Sequence, residues 1–209
     1  MQVYFRVSAG ACSEEIQVAA KVPALQNENL TGGRCEYIFS TEMTIFTIGY
    51  EGSEIAQFVK TLTKNEIKCL IDVRKNPVSR KKGFSKSKLA QALAEEGIEY
   101  LHYGDLGVPS AWRKEAKAEI ITREKMFKKY AKEILPANQD EIDEIIRIAK
   151  KKKSVLLCYE QNALDCHRHY LTERIRKQTK VKIVDLEIEE MSHGLHIYRT
   201  RAAPNRSLI

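Results

Sequence analysis

The sequence predicts an α/β protein with a parallel central sheet, and three observations carry that prediction. Residues 44–48 are a β-branched and aromatic run stopped by Gly49. A helical period and a second apolar run at 68–73 follow, which makes strand, helix and strand within about thirty residues, a βαβ unit. Far downstream, Val155, Leu156 and Leu157 run into Cys158-Tyr159-Glu160 and then a second helical stretch.

Taken in order, the first helix is expected after Ser53 as its cap, with Ile55, Phe58, Val59 and Leu62 on one face. The strand at 68–73 stays apolar until Asp72. A loop rich in Arg, Lys, Ser and Pro covers 74–84. Ser85 then caps a short helix carrying Leu89, Ala92 and Leu93, and Gly97 ends it. Residues 98–102 alternate as a third strand. A long loop with Gly104, Gly107 and Pro109 leads to two helices split by Pro136. The first uses Ile120, Phe127, Tyr130, Ala131 and Ile134. The second uses Ile142, Ile145, Ile146 and Ala149, with Asn138 as a cap, and closes on four lysines at 150–153 beside the negative end of its dipole. The fourth strand holds Val155, Leu156 and Leu157, and a helix follows over 168–176. Val181–Leu186 is the fifth strand. Together these elements spell a Rossmann-like sheet flanked by helices.

The two ends of the chain read differently. Residues 1–42 lack a sustained pattern and are expected to form a weakly ordered extension, or translation from a start upstream of Met43. The rival is a β-hairpin added to the sheet edge. Residues 43–191 are then a single α/β domain, and 192–209 a tail of loop with His193, His196 and three arginines but no period.

The strand ends converge on polar chemistry. They deliver Gly49-Tyr50-Glu51-Gly52, then Asp72-Val73-Arg74 with Ser79 and Arg80, then His102-Tyr103-Gly104, then Cys158-Tyr159-Glu160. In a parallel sheet these lie on one edge, where α/β proteins bind ligands. Gly49 and Gly52 let a backbone approach an anion at a helix start, or simply serve the turn. Asp72 closes an apolar strand, so it needs a partner among Arg74, Arg80 and Arg168. It is either a structural carboxylate tying loop to sheet, or a general base. Arginine suits phosphate through its planar fork, so Arg74, Arg80 and Arg168, with Gly49, Tyr50, Ser79 and Tyr103, are the candidate substrate-binding residues.

Asp72, Glu160, Cys166 and His167 are the candidate catalytic residues. At a helix start beside His167 and Arg168, Cys166 is expected to be a low-pKa thiol, more reactive than Cys12, Cys35 or Cys69. That makes it a nucleophile, a redox thiol or a metal ligand, against the plainer reading of a buried small residue. Cys158, Cys166 and His167, joined by Glu160, could hold a metal ion as a zinc-type set, although no Cys-x-x-Cys pair is present.

Charge and cysteine count narrow the setting. The net charge is +7, with 30% charged and 43% hydrophobic residues. Residues 1–43 hold three Lys/Arg against five Asp/Glu, and the remainder 32 against 23, an excess of +9 that favours anionic partners. No apolar run nears eighteen residues, and the N-terminus lacks a secretory signal, so no membrane partner is expected. Five cysteines without framework spacing point to a reducing, cytoplasmic compartment.

From Thr47 onward these motifs resemble the domain of unknown function 488 family. The matching pieces are Thr47-Ile48-Gly49-Tyr50-Glu51-Gly52, Asp72-Val73-Arg74 with Pro77, Ser79 and Phe84, Tyr103 with Leu106-Gly107, Leu157-Cys158-Tyr159-Glu160, and Cys166-His167-Arg168. The resemblance spans residues 44–185 and implies a compact α/β domain with a parallel central sheet; it brings no particular reaction. The leading functional expectation is an enzyme acting on a phosphate-bearing substrate, a nucleotide or nucleic acid. The alternatives are a non-catalytic nucleic-acid-binding module and a metal-stabilised structural or interaction domain.

Overall fold

A computed structural model describes residues 43–188 and the backbone of a short strand at 199–200. Residues 1–42 and the rest of the C-terminal stretch lie outside the described residues, and with them the expectations placed there. The strands are β1 (Met43–Gly49), β2 (Cys69–Asp72), β3 (Glu99–His102), β4 (Ser154–Cys158), β5 (Val181–Leu186) and β6 (Arg199–Thr200). They lie in the order β3-β2-β4-β1-β5-β6. The first five are all parallel, and β6 pairs antiparallel with β5. Arg199 and Thr200 thus pair with the sheet inside a stretch that the sequence reads as loop.

The helices are α1 (Ile55–Lys64), α2 (Lys86–Glu95), α3 (Ser110–Lys117), α4 (Arg123–Ala137), α5 (Gln139–Lys151) and α6 (His167–Gln178). Side chains alternate across a strand, so one sheet sends apolar residues to both faces. Ile45, Ile71, Leu156 and Ile183 meet α4, α5 and α6 through Tyr130, Ile145 and Leu171. Phe46, Ile48, Leu70, Leu157 and Leu186 meet α1 and α2 through Phe58, Leu62, Leu89 and Leu93. A parallel sheet needs both covers, and each large side chain so buried contributes about 1.5–3 kcal/mol.

The direction of winding makes the crevice. From β1 the chain steps through α1 and α2 to β3 at one edge. It returns over the opposite face and inserts β4 between β2 and β1. Neighbouring strands β1 and β4 therefore send their following helices to opposite faces, which opens a gap at their carboxyl ends. Register brings those ends level: Gly49 lies opposite Cys158, and Asp72 opposite both Leu157 and His102.

Local details depart from expectation in four places. Glu54, not Ser53, is the N-cap of α1: Gln57 Oε1 accepts from the Glu54 N–H, while Ser53 Oγ donates to the Tyr50 carbonyl. A helix, α3, occupies part of the expected long loop, with no buried residue of its own. Ile120 lies outside α4 and is 73% exposed, in the link between α3 and α4. Pro136 sits inside α4, and the break comes at Asn138. Lacking an N–H, Pro136 forgoes the bond to the carbonyl four residues back, and the helix ends one residue after it.

Candidate functional site

The loop after β4 is built by short-range polar contacts. Asn162 Oδ1 accepts from the Leu164 N–H and its Nδ2 donates to Asp165, which shapes a 3-10 turn at Ala163–Asp165. Cys166 is the N-cap of α6, and its Sγ accepts from the Arg168 N–H at 3.5 Å where a Ser or Asp oxygen would ordinarily serve. This turn folds Cys166 and His167 back over the end of β4.

Four donor groups meet there. The Cys158 thiol donates to Glu160 Oε2 at 3.0 Å. His167 Nδ1 lies 3.4 Å from Cys158 Sγ and 3.6 Å from Cys166 Sγ. All four ligand atoms of Cys158, Glu160, Cys166 and His167 lie within 4.8 Å of one another. His167 Nε2 is 3.0 Å from the Val73 carbonyl, so Nε2 carries the proton and Nδ1 faces the thiols. Tyr130 stands edge-on to the imidazole at 5.5 Å, anchored through its hydroxyl to the Leu106 carbonyl.

Burial and charge set the protonation of this group. Burial alone would push the Cys166 thiol up. The neighbouring Cys158 thiol and the positive charges of His167 and Arg168 prevail and hold it well below the ordinary thiol range. Burial, then the neighbouring Cys166, drives Cys158 well above that range. Burial would depress His167, but the Cys166 sulfur raises it. Glu160 is raised by burial and by Cys166. The surroundings favour the low pKa expected of Cys166, but Cys166 is 0% exposed, and the thiol that reaches the cleft is Cys158.

The cleft above this cluster has a volume of about 610 Å³. Its walls carry Lys75, Arg80, Lys81, Arg113, Lys117 and Arg123, with Ser79, Tyr50 and Tyr159, and its floor is Cys158, Glu160 and His167. Glu160 is the single carboxylate among the lining residues. Lys75 is offset by Asp105 at 2.8 Å. Tyr50 is fixed by stacking on Phe84, with ring centroids 4.4 Å apart.

Several expected site residues are engaged by the protein itself or lie away from the cleft. Arg74 borders the cleft, but every nitrogen of its guanidinium is engaged: Nε and Nη2 with Asp72, Nη1 with the Tyr50 hydroxyl and the Phe84 carbonyl. Asp72 is wholly buried and also accepts from the Tyr100 hydroxyl at 2.6 Å and the Arg74 N–H at 3.0 Å. It does not line the cleft, and its hydrogen-bond partners are Arg74 and Tyr100, the arrangement that the structural reading of Asp72 expects. Arg168 is 0% exposed and binds the loop from beneath: Nε donates to Cys166 Sγ at 3.4 Å and Nη2 to the Glu160 carbonyl, while Nη1 has no hydrogen-bond partner among the described residues. Tyr103 packs against the face covered by α4 and α5, not into the cleft. Gly49 serves a close approach, but to protein: a Cβ there would stand 1.8 Å from the Glu160 carbonyl oxygen.

Sequence reasoning missed Lys75, Lys81, Arg113, Lys117 and Arg123. The readable signal was the i, i+4 spacing of Arg113 and Lys117, which puts two cations on one side of a helix.

Residues 54–175, more than half of the chain, match the family model described as Domain of unknown function DUF488. No curated protein and no solved structure matches the chain. No helix among the described residues is long and apolar enough to cross a membrane.

Proposed function

The chain belongs to the domain of unknown function 488 family, and from the cleft that this stretch builds we propose that it is an enzyme acting on a phosphate-bearing substrate, a nucleotide or nucleic acid. The observation that carries the reading is the imbalance of charge in the cleft. Five cationic side chains, besides the engaged Arg74 and the Lys75 that Asp105 offsets, face one carboxylate, and that carboxylate lies on the floor beside a thiol and an imidazole. Arg80, Arg113 and Arg123 offer planar forks suited to phosphate oxygens. Partial enclosure strengthens each such contact over its value in bulk water. Proton transfer falls to Glu160, the acid group that both lines the cleft and touches the cluster. The cytoplasmic setting argued from cysteine usage is part of the same reading.

Titration of the full chain with labelled oligonucleotides and with nucleotides, followed by phosphate-release and product assays, tests the proposal. Binding should fall about tenfold or more in an Arg113→Ala, Lys117→Ala double variant, in proportion to lost phosphate contacts. Glu160→Gln should retain binding and lose turnover. Failure of every phosphate-bearing ligand to bind would overturn the reading. Binding without turnover of any bound ligand would replace it with the non-catalytic nucleic-acid-binding module.

A further inference from the structure

We propose that Cys158, Glu160, Cys166 and His167 are the ligands of one transition-metal dication of the zinc class. The argument is geometric and stands apart from the substrate reading of the cleft. Zinc bonds of about 2.3 Å to sulfur and 2.0–2.2 Å to nitrogen or oxygen, arranged tetrahedrally, place neighbouring donor atoms about 3.4–3.8 Å apart. Both thiol-to-imidazole separations, 3.4 and 3.6 Å, fall there. The 3.0 Å contact from Cys158 to Glu160 is a hydrogen bond whose proton the ion would displace.

Three further features fit a metal centre. His167 donates its Nε2–H to the Val73 carbonyl at 3.0 Å, which leaves Nδ1, aimed at both sulfurs, as the nitrogen that would give up its proton and ligate the ion. A backbone acceptor on the far nitrogen is the usual partner of a ligating histidine. Next, the Arg168 N–H and Nε donate to Cys166 Sγ at 3.5 and 3.4 Å, as expected around a metal-bound thiolate. Finally, charge closes the account of Arg168. This guanidinium is fully buried, and its hydrogen bonds run to sulfur and to carbonyl oxygens, with Nη1 making none among the described residues. A buried cation needs a matching anion. The Cys166 sulfur already stands against it, with Asp185 also acting on it, and two thiolates, one carboxylate and one dication sum to −1, so binding of the ion would keep that negative charge in place. Two sulfur donors select zinc-class ions against magnesium or calcium. Glu160, half-buried and lining the cleft, is the exchangeable fourth ligand, and the other three are buried.

The test uses the full chain, stripped with a chelator and titrated with cobalt(II) or zinc alone. Uptake of one ion per chain is expected, with the visible bands of a tetrahedral cobalt–thiolate centre. X-ray absorption on the zinc form should count two sulfur and two nitrogen or oxygen neighbours. Cys158→Ala should weaken zinc affinity by more than about 100-fold, since loss of an outer partner alone costs 10–100-fold. A Cys12→Ser, Cys35→Ser double variant and the Arg113→Ala variant should both bind like the parent. No uptake, a centre without sulfur, or uptake lost in the Cys12, Cys35 variant would each overturn the proposal. Should Cys158→Ala fail to fold, the sulfur count of the parent protein decides alone. Failure here leaves oligonucleotide and nucleotide binding untouched, so the two proposals fail separately.

Discussion

Arg74 and Asp72 form a closed ion pair at the end of β2. Nη2 lies 2.6 Å from Oδ2 and Nε 2.8 Å from Oδ1, with 6% and 0% of the two side chains exposed. The pair also fastens three elements: Tyr100 on β3 reaches Asp72, and Arg74 holds Tyr50 after β1 and the Phe84 carbonyl before α2. An anion in the cleft meets a guanidinium that is already neutralised.

Arg74→Ala is therefore expected to act on stability. Breaking one partner of a buried pair strands the other, at a cost of about 3–5 kcal/mol. Urea denaturation of parent and variant measures this. A loss below about 1 kcal/mol, with phosphate affinity abolished in the folded variant, would return Arg74 to the ligand-binding role read from the sequence.

Alkaline pH should weaken the fold through groups that burial holds protonated. The Cys69 thiol is pushed from 9.0 up to about 11 by burial and then by Glu99. The Tyr103 phenol moves from 10.0 to about 12 by burial and then by Glu144. Such groups keep their protons longer in the folded chain than in the unfolded one. Their stabilisation is whole below about pH 9 and fades as pH rises through 11 and 12. Urea midpoints should thus decline progressively across that window. Cys69→Ala should flatten the part from 9 to 11, and an unchanged slope in that variant would reject the assignment.

The inner strands were legible because strands covered on both faces carry near-continuous apolar runs, as in Val155-Leu156-Leu157, and the edge strand β3 by its alternation. Helix α3 was not, because it is short and its apolar side is only Trp112 and Ala116, both partly buried. That omission hid Arg113 and Lys117, two of the cations that give the cleft its sign. The loop chemistry was visible as a list of residues but not as depth. Whether Cys158 or Cys166 faces the cleft depends on which sulfur caps α6, a matter of turn geometry at 162–166. The rival roles of Arg74 likewise turned on Tyr100 and the Phe84 carbonyl, which no local pattern brings beside Asp72.

Charge on α3 should be separable from stability. Arg113 and Lys117 are exposed, so Lys117→Glu should change unfolding free energy by no more than about 0.5 kcal/mol. It should nevertheless lower oligonucleotide affinity at low salt and reduce the dependence of log affinity on log salt by about one contact. Isotherms at three or four salt concentrations suffice. An unaltered salt dependence would place the nucleic acid elsewhere on the basic surface.

Gly49→Ala offers the sharpest link between packing and site. The added Cβ would lie 1.8 Å from the Glu160 carbonyl oxygen, 2.4 Å from its carbon and 2.8 Å from Gln161 Cα. All three are backbone atoms, so no side-chain rotation relieves the clash, and β1 and the loop after β4 must part. Overpacking of this kind costs about 1–3 kcal/mol. The displaced segment carries the Glu160 side chain and the carbonyl that Arg168 grips, so metal uptake and turnover should fall together with stability. Gly52→Ala is the matched control. Its φ of +78° makes alanine unfavourable there by about 1–2 kcal/mol, yet its Cβ would meet nothing within 4 Å. Both variants should unfold at lower urea, but only Gly49→Ala should lose cobalt binding while still folded. Equal cobalt affinity in the two would show that the loop absorbs the methyl without moving Glu160, and that the tight β1–loop contact does not position the fourth ligand.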